Sequence, residues 1–272
     1  MAEEFNNLIN RQKMKKIFKT MACAMACAVI ASCGGGAQKA ASTEEAKAEN
    51  PNTIVLFDGT SLDGWRGYGK DHVPSRWTIE DGCLKFSGSG GGEAQTGEGG
   101  DIIFAAQKFK NFELELEWKI SKGGNSGIFY LAQELPGKPI YISAPECQVL
   151  DNENHPDAKL GKDGNRQSSS LYDMIPAKPQ NSKPAGEWNK VKIMVYKGTV
   201  VHYQNDEAVV EYHLWTPQWT EMLQASKFSE ERWPDAFALL NNCGGEAREG
   251  YIGFQDHGDD VWFRNIKVKI LE

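Results

Sequence analysis

The chain has 272 residues, 25% charged and 40% hydrophobic, with 30 Lys and Arg against 37 Asp and Glu, for a formal net charge of −7. That composition is globular and the length allows one or two domains. The acidic balance excludes a nucleic-acid partner, whose binding rests on neutralising phosphates.

The first fifty residues stand apart. Met14-Lys15-Lys16-Ile17-Phe18-Lys19 is basic, and residues 21–31 form a short apolar run. A membrane-spanning helix needs about 20 apolar residues; this run has the length of a signal-peptide hydrophobic region. It ends Val29-Ile30-Ala31-Ser32-Cys33-Gly34, which resembles the lipobox of bacterial lipoproteins. The resemblance implies that residues 1–33 are a signal, that Cys33 is lipidated, and that the mature protein is exported and membrane-anchored. The rival reading is a plain secretory signal with an incidental cysteine. Residues 1–13 precede the basic start and read as an upstream extension. Gly34-Gly35-Gly36 replaces the acidic run that resembles a surface-export signal, so the expected address is periplasm-facing, with the cell surface as the alternative. Residues 34–50 read as a flexible tether, Ala-, Lys- and Glu-rich without an apolar period. Beyond residue 33 the chain keeps 25 of its basic and 35 of its acidic residues. No later stretch is long and apolar enough to span a bilayer.

From Pro51 the pattern is short β-type runs broken by Gly, Asn, Asp and Pro. Strands are expected at 53–57, 77–80, 83–86, 112–118, 127–132, 146–151, 190–196, 200–204, 208–212, 251–255 and 261–270. Asp81-Gly82 between the second and third of these marks a hairpin. Residues 112–118 alternate strictly, Phe-Glu-Leu-Glu-Leu-Glu-Trp. One helix is expected at 216–228, with Thr216 as cap and Pro217 at its first position. Residues 87–100, rich in glycine, read as a mobile loop. The whole of 51–272 is therefore an all-β domain, a sandwich of two antiparallel sheets with a short helical insertion. Cys83, Cys147 and Cys243 are odd in number and widely spaced, without a CxxC pair. This excludes a zinc knuckle and favours buried thiols, although export would permit one disulfide.

Five segments, in order, carry a resemblance. They are Leu56-Phe57-Asp58-Gly59-Thr60-Ser61-Leu62-Asp63-Gly64-Trp65, Asn125-Ser126-Gly127-Ile128-Phe129, Pro145-Glu146-Cys147-Gln148-Val149-Leu150-Asp151-Asn152, Gly186-Glu187-Trp188-Asn189, and Gly250-Tyr251-Ile252-Gly253-Phe254-Gln255-Asp256-His257-Gly258 with Val261-Trp262-Phe263-Arg264-Asn265-Ile266 after it. Together they are similar to the 3-keto-disaccharide hydrolase family over essentially all of 51–272. The resemblance implies a concanavalin-like jelly roll and a sugar substrate already oxidised at C3 by a separate dehydrogenase. A ketone at C3 acidifies the C2 hydrogen. A base can then form an enolate that expels the C1 oxygen, and water adds back to give the free 3-keto sugar. This chemistry needs a base, a group for the enolate oxygen, and an acid for the leaving oxygen. The residues fix no cofactor, but a divalent metal is one way to meet the second need.

The matching segments supply Glu146, His155 and His257 as catalytic candidates, and Asn125, Gln148, Asp151, Gln255 and Arg264 as substrate-binding candidates. Glu146 and Gln148 share a strand face, being two apart. For Asn125 the rival role is a turn cap, and for Arg264 a salt bridge. A conventional retaining glycosidase would instead use Glu113 and Glu117 as its carboxylate pair, yet three alternating glutamates more often form a solvated face. A non-catalytic carbohydrate-binding module would present aromatic faces, of which Trp215, Trp219 and Trp233 are the freest by position.

Overall fold

The computed structural model describes residues 51–88 and 99–272. The expected signal with Cys33, the expected tether at 34–50 and most of the glycine-rich segment lie outside the described residues. No helix among the described residues is long and apolar enough to cross a membrane.

In chain order the strands are β1 (Thr53–Phe57), β2 (Trp65–Gly67), β3 (Trp77–Glu80), β4 (Cys83–Phe86), β5 (Ile102–Phe104), β6 (Phe112–Ile120) and β7 (Asn125–Ala132). They continue with β8 (Glu146–Leu150), β9 (Asn189–Tyr196), β10 (Thr199–Gln204), β11 (Glu207–His213), β12 (Tyr251–Phe254) and β13 (Val261–Ile270). An eight-stranded sheet runs β11-β10-β9-β6-β13-β4-β3, with β1 also on β13, and a five-stranded sheet runs β2-β5-β12-β7-β8. All pairings are antiparallel. This is the two-sheet jelly-roll sandwich that the resemblance implies.

The local reasons are those of the sequence. Asp81 and Gly82 both take positive φ, 50° and 72°, the requirement of the tight hairpin turn that matches strand twist. Strand β6 buries Phe112, Leu114, Leu116, Trp118 and Ile120 between the sheets and turns its glutamates outward. Across the core Phe254 of β12 stacks on Phe263 of β13 with centroids 4.1 Å apart. Each such ring contributes about 1.5–3 kcal/mol by leaving water.

Several boundaries differ from expectation. Strands β2 and β5 are three residues each, too short to show a period. The expected helix begins as read, with Thr216 accepting from the Trp219 N–H, but ends at Gln224 as helix α1 (Pro217–Gln224). A second helix, α2 (Pro234–Asn241), follows. Its apolar run Ala236-Phe237-Ala238-Leu239-Leu240 is too uniform to reveal a helical stripe, while Pro234 at its first position was a readable start signal. Cys83, Cys147 and Cys243 are buried free thiols.

Both faces of the five-stranded sheet are covered, since every residue of β7 and β8 is buried. The inner face meets the main core. On the outer face Phe129, Ile103, Ile140 and Ala144 form a smaller cluster beneath the 3-10 turn Ile140–Ile142. Beside that cluster the outer face becomes polar.

Candidate active site

Strands β7 and β8 place the polar floor. Their register sets Gly127 opposite Gln148, and Asn125 opposite Leu150. Asn125, Gln148 and Glu146 therefore point to the outer face together. Glu146 lies across Gly127, where an added Cβ would run into the carboxylate Oε1. Only glycine leaves room for that side chain. The chain leaving β12 adds Gln255, tied to β7 by its N–H to the Gly127 carbonyl at 2.9 Å and by Ser126 Oγ donating to its carbonyl at 2.8 Å.

These residues line a partly open cavity of about 180 Å³, with Tyr141, Tyr172, Lys227, Trp233 and His257 as walls. Asn125 and Gln255 are 4% and 5% exposed, and the side-chain oxygen of each has no hydrogen-bond partner. Leaving such an atom dry costs about 1–3 kcal/mol, so both oxygens are acceptors waiting for a donor. Gln148 is more committed, receiving the Val149 N–H and donating to the Arg166 carbonyl.

One wall is an ionic chain. Arg166 bridges Asp157 at 2.8 Å and Asp173 at 2.7 Å. Tyr172 donates to Asp157 at 2.9 Å, and burial pushes its phenol up, with Glu146 next in effect. Asp173 in turn accepts the Lys227 backbone N–H at 2.7 Å. Burial lowers the Lys227 ammonium below the usual lysine range. Sequence reasoning missed Tyr141, Tyr172 and Lys227; they stand on a 3-10 turn and on loops without a motif and reach the site only through the fold.

At the opposite edge the His155 and His257 rings meet edge to face, with centroids 6.1 Å apart. Ligand-capable atoms of His155, His257 and Asp259 all lie within 4.8 Å of one another. Asp259 is oriented by the Asn125 N–H at 3.0 Å. A divalent metal nevertheless fits this trio poorly. His155 Nδ1 accepts the Asp157 N–H at 3.1 Å, which puts the proton of the neutral ring on Nε2. A metal-bound histidine has the reverse pattern, donating from its other nitrogen. Burial, and then His257, lower the His155 pKa. The ring is thus a neutral Nε2–H donor.

Asp151 does not face the cavity chemistry. It accepts from the Gly123 N–H at 2.7 Å, Asn154 Nδ2 at 2.8 Å and the Glu153 N–H at 3.1 Å. Burial opposes its ionisation, but these donors outweigh it and hold the carboxyl below its ordinary value. It shapes the loop that carries His155. Arg264 is not brought to the site at all: it projects from the outer face of the eight-stranded sheet, paired with Glu117 at 2.6 Å and stacked on Trp188 at 3.9 Å. Strand parity explains this, since its neighbour Phe263 fills the core. Glu113 and Glu115 share that outer face with lysines, Glu115 at 3.2 Å from Lys267 and Glu113 at 3.6 Å from Lys269. The glutamate triplet is therefore a charge-paired surface rather than a retaining-glycosidase pair. Of the three tryptophans, Trp219 is fully buried against Tyr212, Trp215 lies beside Arg248, and Trp233 alone lines the cavity.

Beside the cavity, and sharing Tyr141 with it, is a larger open groove of about 1420 Å³ between loops 66–72 and 134–141. Arg66 and Glu134 form a two-pronged ion pair across it, at 2.5 and 2.6 Å.

Comparison with known proteins gives the family. A 3-keto-disaccharide hydrolase of Bacteroides thetaiotaomicron is 65% identical, covering 95% of this chain and 100% of that protein. Two crystal structures from Parabacteroides distasonis are similar at 27% and 25% identity, with TM-scores of 0.66 and 0.61. They cover 81% and 80% of this chain and 94% and 99% of theirs. The model of the 3-keto-alpha-glucoside-1,2-lyase-like domain matches residues 52–269, nearly the whole described sandwich, and the chain belongs to that family.

Proposed function

We propose that this protein cleaves the glycosidic bond of 3-keto glycosides, disaccharides included, by removing the C2 proton, eliminating the C1 oxygen and hydrating the product. The carrying observation is the small cavity on the outer face, floored by the Glu146 carboxylate and walled by two amide oxygens without partners. It has the size of one sugar ring, and its uncommitted acceptors suit sugar hydroxyls. The name of the Bacteroides relative supports the substrate class.

Glu146 is the base, held over Gly127 within reach of a ring lying on the sheet. His257 donates the proton to the leaving oxygen, steadied by the His155 ring and by Asp259. Asn125 and Gln255 accept from sugar hydroxyls and fix the ring against the base, which supplies the proximity on which such a proton transfer depends. The open groove past Tyr141 receives the second sugar or other leaving group. A separate dehydrogenase supplies the C3 ketone. The Cys33 lipid anchor places this activity at the membrane, facing the periplasm.

The test compares an aryl 3-keto glucoside with the unoxidised glucoside in D₂O. The oxidised substrate is cleaved, the other is inert, and the released sugar carries deuterium at C2. Equal cleavage of both, with the C2 hydrogen retained, would sink the elimination. Measurable binding without cleavage of either would point to a carbohydrate-binding module.

A further inference from the structure

Elimination builds negative charge on the C3 oxygen, and the roles given so far leave that oxygen without a partner. Lys227 lines the same cavity as Glu146. Its Nζ lies 4.3 Å from the centre of the Tyr172 ring and 5.0 Å from that of Phe228. Of the charges around it, Glu146 most favours its ionised form, ahead of Asp173 and Asp157. Asp157 and Asp173 are also held by Arg166, and Asp173 takes the Lys227 backbone N–H, so Glu146 is the acid that shares the cavity with Lys227. When Glu146 takes up a proton its charge is lost, and the ammonium in the same cavity is left for the oxygen on which negative charge develops.

We infer that Lys227 holds the enolate oxygen at C3, donating a hydrogen bond to the ketone that strengthens as charge develops there. This rests on the elimination proposed above. The C2 proton passes to Glu146, and the electron pair of that bond moves toward C3 and places charge on its oxygen. The pair then forms the C1–C2 double bond as the C1–O bond breaks, and the leaving oxygen takes its proton from His257. Lys227 forms no covalent bond. Its ionisation is set by burial, which lowers it, against Glu146, Asp173 and Asp157, which raise it, with Arg166 adding to the lowering. The rate therefore falls at an alkaline pH below that of an ordinary lysine.

The experiment uses the full chain and an aryl 3-keto glucoside, with Lys227→Met and Lys227→Arg, each checked by its melting temperature. Lys227→Met is expected to lose about a hundredfold or more in kcat, the scale of one preorganised donor to an oxyanion, with a much smaller change in KM. Lys227→Arg keeps its charge, recovers part of the rate and moves the alkaline fall to higher pH, which packing alone would not do. Borohydride added during turnover leaves Lys227 unmodified. A kcat for Lys227→Met within about threefold of the parent's, an unmoved alkaline fall in Lys227→Arg, or a borohydride-trapped adduct overturns the assignment. Elimination itself is read separately, from deuterium at C2 in the parent protein. Should Lys227→Met fail to fold, the pH profile of Lys227→Arg decides.

Discussion

Gly127 and Glu146 illustrate how one residue makes another usable. A carboxylate on the face of a sheet normally projects into solvent, whereas Glu146 is 7% exposed and lies flat against its neighbouring strand. Gly127→Ala would push a methyl group into the carboxylate and shift the base while leaving its chemistry present. We expect kcat to fall by at least about tenfold, with the charge count of the site unchanged, whereas Glu146→Gln and His257→Ala each lose about a hundredfold or more, the scale of a positioned acid or base. Full activity in Glu146→Gln would move the base elsewhere. Melting temperatures near the parent's would show that the losses belong to the site. Much of this was legible in advance: Asn125, Glu146, Gln148, Gln255 and His257 sit in recognisable segments that the fold brings to one face. Lys227 and Tyr172 were not legible, because their positions depend on the Asp157–Arg166–Asp173 chain, which joins loop segments by side chains alone.

At the scale of elements, the two sheets are joined through their core by a polar thread as well as by hydrophobic packing. Tyr130 of β7 bonds His202 of β10 at 2.7 Å and Tyr212 of β11 at 2.5 Å, and His202 Nδ1 faces the Ser169 carbonyl at 2.9 Å. The histidine is therefore neutral, donating from Nδ1 and accepting at Nε2. Burial holds its pKa down to about 4, against about 6.5 in an unfolded chain. Between those values the unfolded state binds a proton that the folded state refuses, so stability is lost as pH falls through that window. The loss reaches about 3 kcal/mol at its acid end. Urea unfolding at pH 7 and at pH 4.5 should show this difference, and His202→Gln should flatten it while lowering stability at both. An unchanged pH dependence in His202→Gln would remove this explanation. Sequence periodicity found the long strands because alternation needs several turns of the pleat to register. It missed β2 and β5 for lack of length, and it overran α1 because Ala225 and Ser226 close that helix without a glycine or proline.

For the whole molecule, the sandwich presents one charged outer face and one hollowed face. The eight-stranded sheet shows solvent its rows of paired glutamates and lysines, each exposed pair contributing little to stability, while the site occupies the other sheet. The strands and helices of the sandwich all lie within residues 53–270, beyond Cys33 in the chain. Cys33→Ala should therefore release the protein from membranes and abolish lipid labelling with its melting transition intact. If the variant still fractionates with membranes as the parent does, the lipoprotein reading is wrong.

The three thiols impose a condition on timing. Cys83, Cys147 and Cys243 are each buried and unpaired, and burial raises all three, Cys243 to about 12. Once the sandwich has closed, the thiolate needed for attack is scarce and out of reach. Before closure the same cysteines are ordinary reactive thiols on an open chain. In oxidising surroundings any bond formed between two of them is one that the native fold, with its three free thiols, does not contain, and it must be broken before the native state is regained. Yield under such conditions is then a race between collapse and oxidation, won by the chain that hides its sulfur first.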